Sequence, residues 1–116
     1  MVKLESLKKS NQFRKALKEK KVHTDYFSIF AAKNFYKEKL KANLLISFVM
    51  KKKIGNAVKR NKIRRKLKAI VHKLLKKKSA INRDYTYIVF GKSNAYTQKQ
   101  DVLLQLMEKS FNKFKK

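Results

Sequence analysis

Residues 51–78 read KKKIGNAVKRNKIRRKLKAIVHKLLKKK, and two patterns run through this stretch at once. Ile63, Leu67, Ile70, Val71 and Leu74 recur at spacings of 4, 3, 1 and 3, which is the period of one helical face. Gly55 supplies a turn and Asn56 an N-cap, so the spacing predicts an amphipathic helix over about 57–77. At ~100° per residue, Asn61, Arg65, Lys68 and His72 fall in a stripe nearly opposite Ile63, Leu67 and Leu74. Lys59, Lys62, Lys66 and Lys73 flank that stripe, and Arg60 and Arg64 lie toward the border of the apolar face.

The second pattern is charge. Residues 51–78 carry +14 without a single acid, against +8 for residues 1–50 and +4 for residues 79–116. The whole chain holds 33 Lys and Arg against 7 Asp and Glu, a formal +26. An ordinary solvated helix face alternates signs, whereas a one-sign face repels itself until a polyanion neutralises it. An acid-free helical stripe is the footprint of a nucleic-acid binder. Asn61 stands out among the cations, because an amide both donates and accepts and so reaches a base edge or ribose as well as a phosphate.

Outward from this helix the chain reads as short elements. Ser10 caps a short helix over about 11–20, with Phe13, Ala16 and Leu17 on one face. Tyr26 to Ala32 reads as a strand, with Phe27, Ile29 and Ala31 on one face and Tyr26, Ser28, Phe30 and Ala32 on the other. Leu44 to Met50 is a second strand, and residues 33–43 form a charged connection between the two. Tyr85 to Phe90, rich in aromatic and β-branched residues and closed by Gly91, is a third. Thr97 and Gln100 have capping-box spacing ahead of a last helix, whose apolar stripe is Val102, Leu103, Leu106, Met107, Phe111 and Phe114. Phe27, Ile29, Ile46, Phe48 and Met50 are the inward alternates of their strands and are expected in the core. The order α-β-β-α-β-α predicts an α+β two-layer sandwich.

At 116 residues, the chain is read as one domain, 1–116. The absence of cysteine excludes disulfides and thiolate zinc sites, and His23 and His72 lie far apart in sequence. Leu44 to Met50 is the longest apolar run, far short of the roughly 20 residues a bilayer span needs, and Met1 to Lys9 shows no secretory apolar stretch. A cytoplasmic protein that binds no membrane is expected. Glu5, Glu19, Asp25, Glu38, Asp84, Asp101 and Glu108 are scattered, with no local pair suited to two-metal hydrolysis, so catalytic residues are expected to be absent.

Lys52-Lys53-Ile54-Gly55-Asn56-Ala57-Val58-Lys59-Arg60-Asn61-Lys62-Ile63-Arg64-Arg65 resembles the signature of the ribonuclease P protein component. That signature centres on an Arg-Asn-Arg triplet opening a helix. Lys62 replaces its third member and Lys68 a further usual arginine, so charge survives while the guanidinium fork is lost. The resemblance continues more loosely from about Leu7 to Phe114, in the order of elements. It implies a ribosomal protein domain-like fold, with a short extra strand near Val22 to Thr24 and a left-handed β-α-β crossover.

The same resemblance implies a subunit of an RNA-based endoribonuclease that removes the 5′ leader of precursor tRNA. Its partners would be a catalytic RNA, at one protein per RNA, and the precursor; Mg2+ would be held through the RNA. Lys52, Lys53, Asn56, Lys59, Arg60, Asn61, Lys62, Arg64, Arg65 and Lys68 would bind the catalytic RNA. Phe13, Leu17, Tyr26, Ser28 and Phe30 match the positions of a cleft for the single-stranded leader, with Leu17 replacing a usual aromatic and Phe30 a usual tyrosine. Unpaired bases stack on aromatic faces for about 1–3 kcal/mol each with little sequence preference, which suits a leader that varies between tRNAs. A structural RNA-binding protein, such as a ribosomal one, would share the charge and the fold but have no use for that cleft. A DNA-compacting or membrane-surface protein would need the apolar stripe that the core requires.

Overall fold

The computed structural model describes residues 3–5, 14, 17–18, 20–33, 43–77, 81 and 85–114. Strands β1 (Lys3–Glu5), β2 (Lys20–His23), β3 (Phe27–Lys33), β4 (Asn43–Met50) and β5 (Tyr85–Gly91) form one sheet in the order β1-β4-β5-β3-β2. Helix α1 (Ala57–Leu75) and helix α2 (Gln100–Asn112) are joined to it by 3₁₀ turns at Lys52–Ile54 and Ser93–Tyr96. Residues 14, 17 and 18 are helical and belong to the predicted N-terminal helix. Phe13, its Ser10 cap and residues 34–42 of the charged connection lie outside the described residues.

β2 and β5 both run antiparallel to β3, whereas β4 is parallel to β5 and β1 is parallel to β4. α1 therefore makes the crossover between two neighbouring parallel strands, which places its whole length across one face of the sheet. Ile63, Leu67, Ile70, Val71 and Leu74 are all buried there, as the spacing predicts. They meet Phe27, Ile29, Ile46, Met50, Tyr87 and Val89 from the sheet and Leu103, Met107, Phe111 and Phe114 from the C-terminal segment. Tyr87 sets its ring edge-on to Phe111 at 5.0 Å between centroids, which knits β5 to α2. At Gly91 a methyl group would run into Met50 Sδ and Ile63 Cγ2, so this glycine lets α1 lie close on the sheet.

The structure moves several predicted boundaries. The N-terminal helix stops before Lys20, because residues 20–23 pair with Ala31 to Ser28 as β2 instead. That is the extra strand, two residues earlier than expected; Thr24 falls in the turn, where its Oγ1 accepts from the Tyr26 and Phe27 N–H groups. Tyr26 likewise precedes β3, which runs on to Lys33. β1 was not predicted at all: three residues carry no readable alternation, and the strand exists through its pairing with Asn43 to Leu45.

The capping box does not form. α2 starts at Gln100 with Lys99 as N-cap and no side-chain cap, while Gln98 Oε1 accepts from the Lys99 N–H and Thr97 ends the preceding 3₁₀ turn. The apolar stripe of α2 is also narrower than predicted. It is centred on Leu103, Met107 and Phe111, with Leu106 half-buried and Val102 turned out to 37% exposure. Ser110 takes a buried place on it by donating its hydroxyl to the Leu106 carbonyl, four residues back. Phe48 packs on the core only half-buried, on the strand next to the short β1.

The other sheet face carries Ser28, Phe30 and Ala32 of β3 beside Phe90, Ile88 and Thr86 of β5, which the register sets directly opposite. Ala32, Thr86 and Ile88 are fully buried, so the middle of this face holds a second apolar layer. Toward the β5 C-terminus that layer opens into a cleft.

Candidate nucleic-acid interface

Gly55 adopts φ 153°, a conformation that side chains rarely tolerate, and so turns the chain sharply into α1. Asn56 Oδ1 then accepts from the Lys59 N–H at 2.9 Å and caps the helix as predicted. Asn61, Lys62, Arg65, Lys68 and His72 are exposed along the outer face. Lys52, Lys53 and Asn56 are exposed just ahead of it, so the basic surface extends beyond the helix itself. Arg60 and Arg64 are half-buried at its margin.

Asn61 is not merely solvated. Arg64 Nη1 donates to its Oδ1 at 2.8 Å, which engages the amide oxygen and leaves the amide N–H groups without a partner among the described residues. Lys59 and Lys62 converge on one aromatic ring: their Nζ atoms lie 5.3 and 4.7 Å from the Tyr96 centroid, and Lys59 also donates to Ser93 Oγ at 2.9 Å. The ion pair found among the described residues, Lys77 with Glu108 at 3.3 Å, sits beyond the far end of α1. The exposed face is therefore left uncompensated by carboxylates of the described residues.

Lys66 corrects the sequence reading. Instead of flanking the stripe, it folds back and donates to the carbonyls of Ala95, Tyr96 and Gln98 at 3.1, 2.8 and 2.8 Å. Burial, and secondarily the charge of Lys62, hold its ammonium below the ordinary lysine range. Lys66 thus fastens the 93–98 segment to α1, and nothing in its sequence neighbourhood separates it from the lysines that face solvent.

The cleft on the opposite sheet face has a volume of about 480 Å³. Leu17 of the N-terminal helix forms one side; Ser28, Phe30, His23 and Phe90 of the sheet form the floor; Lys51, Lys53 and Ile54 form the other side, and Lys92 and Ser93 the end. Phe30 is edge-on to both Phe90 at 5.4 Å and His23 at 5.7 Å, leaving an aromatic floor with few rotamers open to it. Lys51 Nζ stands 5.8 Å from the Phe90 centroid. Leu17, Ser28 and Phe30 are thus brought together as the resemblance implies, and Phe13 lies outside the described residues.

Tyr26 stands apart from this group. It packs against the main core, and its hydroxyl accepts from Gln98 Nε2 at 2.7 Å, because the chain is still in the turn before β3 at that point. Sequence reasoning missed His23, Phe90, Lys51 and Lys92 as cleft residues. Phe90 alone had a signal, since its place in β5 alternates with the core residues Tyr87 and Val89. Lys53 lines the cleft and belongs to the basic surface as well, so the two surfaces are continuous across the Lys52–Ile54 turn.

A profile of the family described as Ribonuclease P matches residues 1–115. The chain belongs to the ribonuclease P protein family. It is the protein subunit of ribonuclease P and acts in tRNA 5′ processing, with an RNA subunit and a tRNA substrate as its partners. A solved Staphylococcus aureus RNase P protein is 25% identical, with a TM-score of 0.70 over 95% of this chain and 94% of that one. Another structure of the Staphylococcus aureus protein is 28% identical, with a TM-score of 0.60 over 94% and 86% of the two chains. The Thermotoga maritima RNase P protein, at 23% identity, shares the fold with a TM-score of 0.66 over 90% of this chain and 96% of its own. No curated protein gives a significant match.

Among the described residues no helix is long and apolar enough to cross a membrane, and no three His, Asp or Glu side chains cluster as metal ligands.

Proposed function

We propose that the two continuous surfaces divide the work of the ribonuclease P holoenzyme. The acid-free face of α1, with Lys52, Lys53 and Asn56 ahead of it, docks on the catalytic RNA. The cleft of Leu17, Ser28 and Phe30 receives the single-stranded 5′ leader of precursor tRNA, to which the family resemblance also assigns Phe13. The carrying observation is the continuity of an uncompensated cationic helix with an aromatic-floored, lysine-rimmed cleft. Lysine charge attracts the backbone of the leader while Phe30 and Phe90 offer stacking surface indifferent to base identity.

Cleavage in this reading belongs to the RNA, which binds the Mg2+ ions that activate water. The protein raises affinity for the precursor and screens negative charge, in the cytoplasm and at one copy per catalytic RNA. Reconstitution tests it: at low magnesium and moderate salt, adding the chain to its cognate catalytic RNA restores leader removal. Stimulation no greater than that given by a featureless polycation, such as polylysine, would sink the reading.

A further inference from the structure

We propose that His23 is a leader-contacting residue that donates from Nε2 to a phosphodiester oxygen of the leader. The proposal rests on the reading of the cleft as the leader site and assigns that site a group the sequence did not.

His23 closes β2, where the register sets it opposite Ser28 of β3 and so on the cleft face of the sheet. Two contacts fix its ring: Nδ1 lies 2.7 Å from Ser28 Oγ, and the ring plane stands at 83° to Phe30. With Nδ1 committed to Ser28, the other ring nitrogen has no hydrogen-bond partner among the described residues. In the neutral tautomer that carries its proton on Nε2, the Ser28 hydroxyl donates to Nδ1. In the charged ring both nitrogens donate, Nδ1 to Ser28 Oγ and Nε2 outward. In both of these forms Nε2 presents an N–H to a ligand in the cleft.

The surroundings select an anion. Lys51, Lys53 and Lys92 line the same cleft, and no described acid does. Lys92 Nζ is held by the Thr24 carbonyl at 2.6 Å and Lys51 lies against Phe90, so neither is wholly free to follow a ligand. On its own strand His23 is accompanied by exposed Lys21, while Lys20 turns to the other face and donates to the Tyr85 hydroxyl. Arg14 and Lys18 are the described charges of the N-terminal helix, and Asp25, exposed in the turn after β2, is the nearest described acid in sequence. A phosphodiester oxygen in the cleft would accept from Nε2 beside this lysine rim.

The test measures equilibrium binding of precursor and mature tRNA to the reconstituted holoenzyme at one fixed pH and salt, for the wild-type chain, His23→Ala and His23→Gln. The ratio of precursor to mature affinity is expected to fall on the order of tenfold in His23→Ala, and to be largely kept in His23→Gln, whose amide still donates. An unchanged ratio in His23→Ala overturns the proposal, as does an equal loss for precursor and mature tRNA. If the wild-type holoenzyme does not distinguish precursor from mature tRNA, the leader-site reading fails and this proposal with it.

Discussion

Replacing Lys66 by methionine keeps the length and apolar stem of the side chain and removes only its three donated hydrogen bonds. The Ala95, Tyr96 and Gln98 carbonyls that receive them, at 3.1, 2.8 and 2.8 Å, do not lose equally. Tyr96 and Gln98 are half-buried, and water can take over at their oxygens, whereas Ala95 is fully buried and its carbonyl has little access to a substitute. A hydrogen bond to a charged donor contributes about 1.5–3 kcal/mol, so the substitution is expected to cost ~2 kcal/mol, mostly at Ala95. For a chain of this size that lowers Tm by roughly 8 °C, measured by thermal circular dichroism at fixed salt.

The pH dependence supplies a second reading of the same variant. The folded Lys66 loses its proton below the ordinary value of 10.5, so on the alkaline side the unfolded chain binds more protons than the folded one. Stability then rises with pH through this group, and the gap between wild type and Lys66→Met should widen from pH 8 toward pH 10. A fall in Tm under about 2 °C would refute the lock, and a gap that narrows with rising pH would refute the assigned direction. Because the locked segment carries Ser93 to the cleft and Gln98 to Tyr26, Lys66→Met should weaken precursor binding beyond its effect on mature tRNA.

Gly91→Ala should destabilise the fold by about 1–3 kcal/mol, since the new methyl meets Met50 and Ile63, and the urea midpoint should fall with an unchanged m-value. Arg65→Ala should weaken binding to the catalytic RNA and flatten the slope of log affinity against log salt by about 1, measured by filter binding, while the preference for precursor over mature tRNA stays as it was. Phe30→Ala should cost about 1–3 kcal/mol in precursor affinity and leave mature tRNA unaffected in the same competition assay; equal losses for both would contradict its place on the cleft floor.

The elements that were legible are those whose signal is local. α1 could be read to within two residues, cap included, because Asn56 and the Ile63 to Leu74 spacing act through neighbours three and four positions away. The exposed stripe of Asn61, Arg65, Lys68 and His72 follows from the same geometry. The capping box at Thr97 failed although its spacing was right, because the Lys66 bonds and the Gln98 side chain hold the chain in a 3₁₀ turn there. Lys66 itself is one lysine among fourteen cations between residues 51 and 78, and only the carbonyls brought under it distinguish it.

The sequence by itself determined that a helix would bury one side and offer an acid-free, asparagine-bearing side to a polyanion, since helical periodicity and charge count need no knowledge of distant partners. Tertiary structure alone decided that β1 exists, that Tyr26 faces Gln98 and not the cleft, and that His23 joins Ser28, Phe30 and Phe90 on one floor. Those choices depend on strand order and register, where residues 5 to about 60 positions apart meet through backbone pairing that leaves no period in the chain.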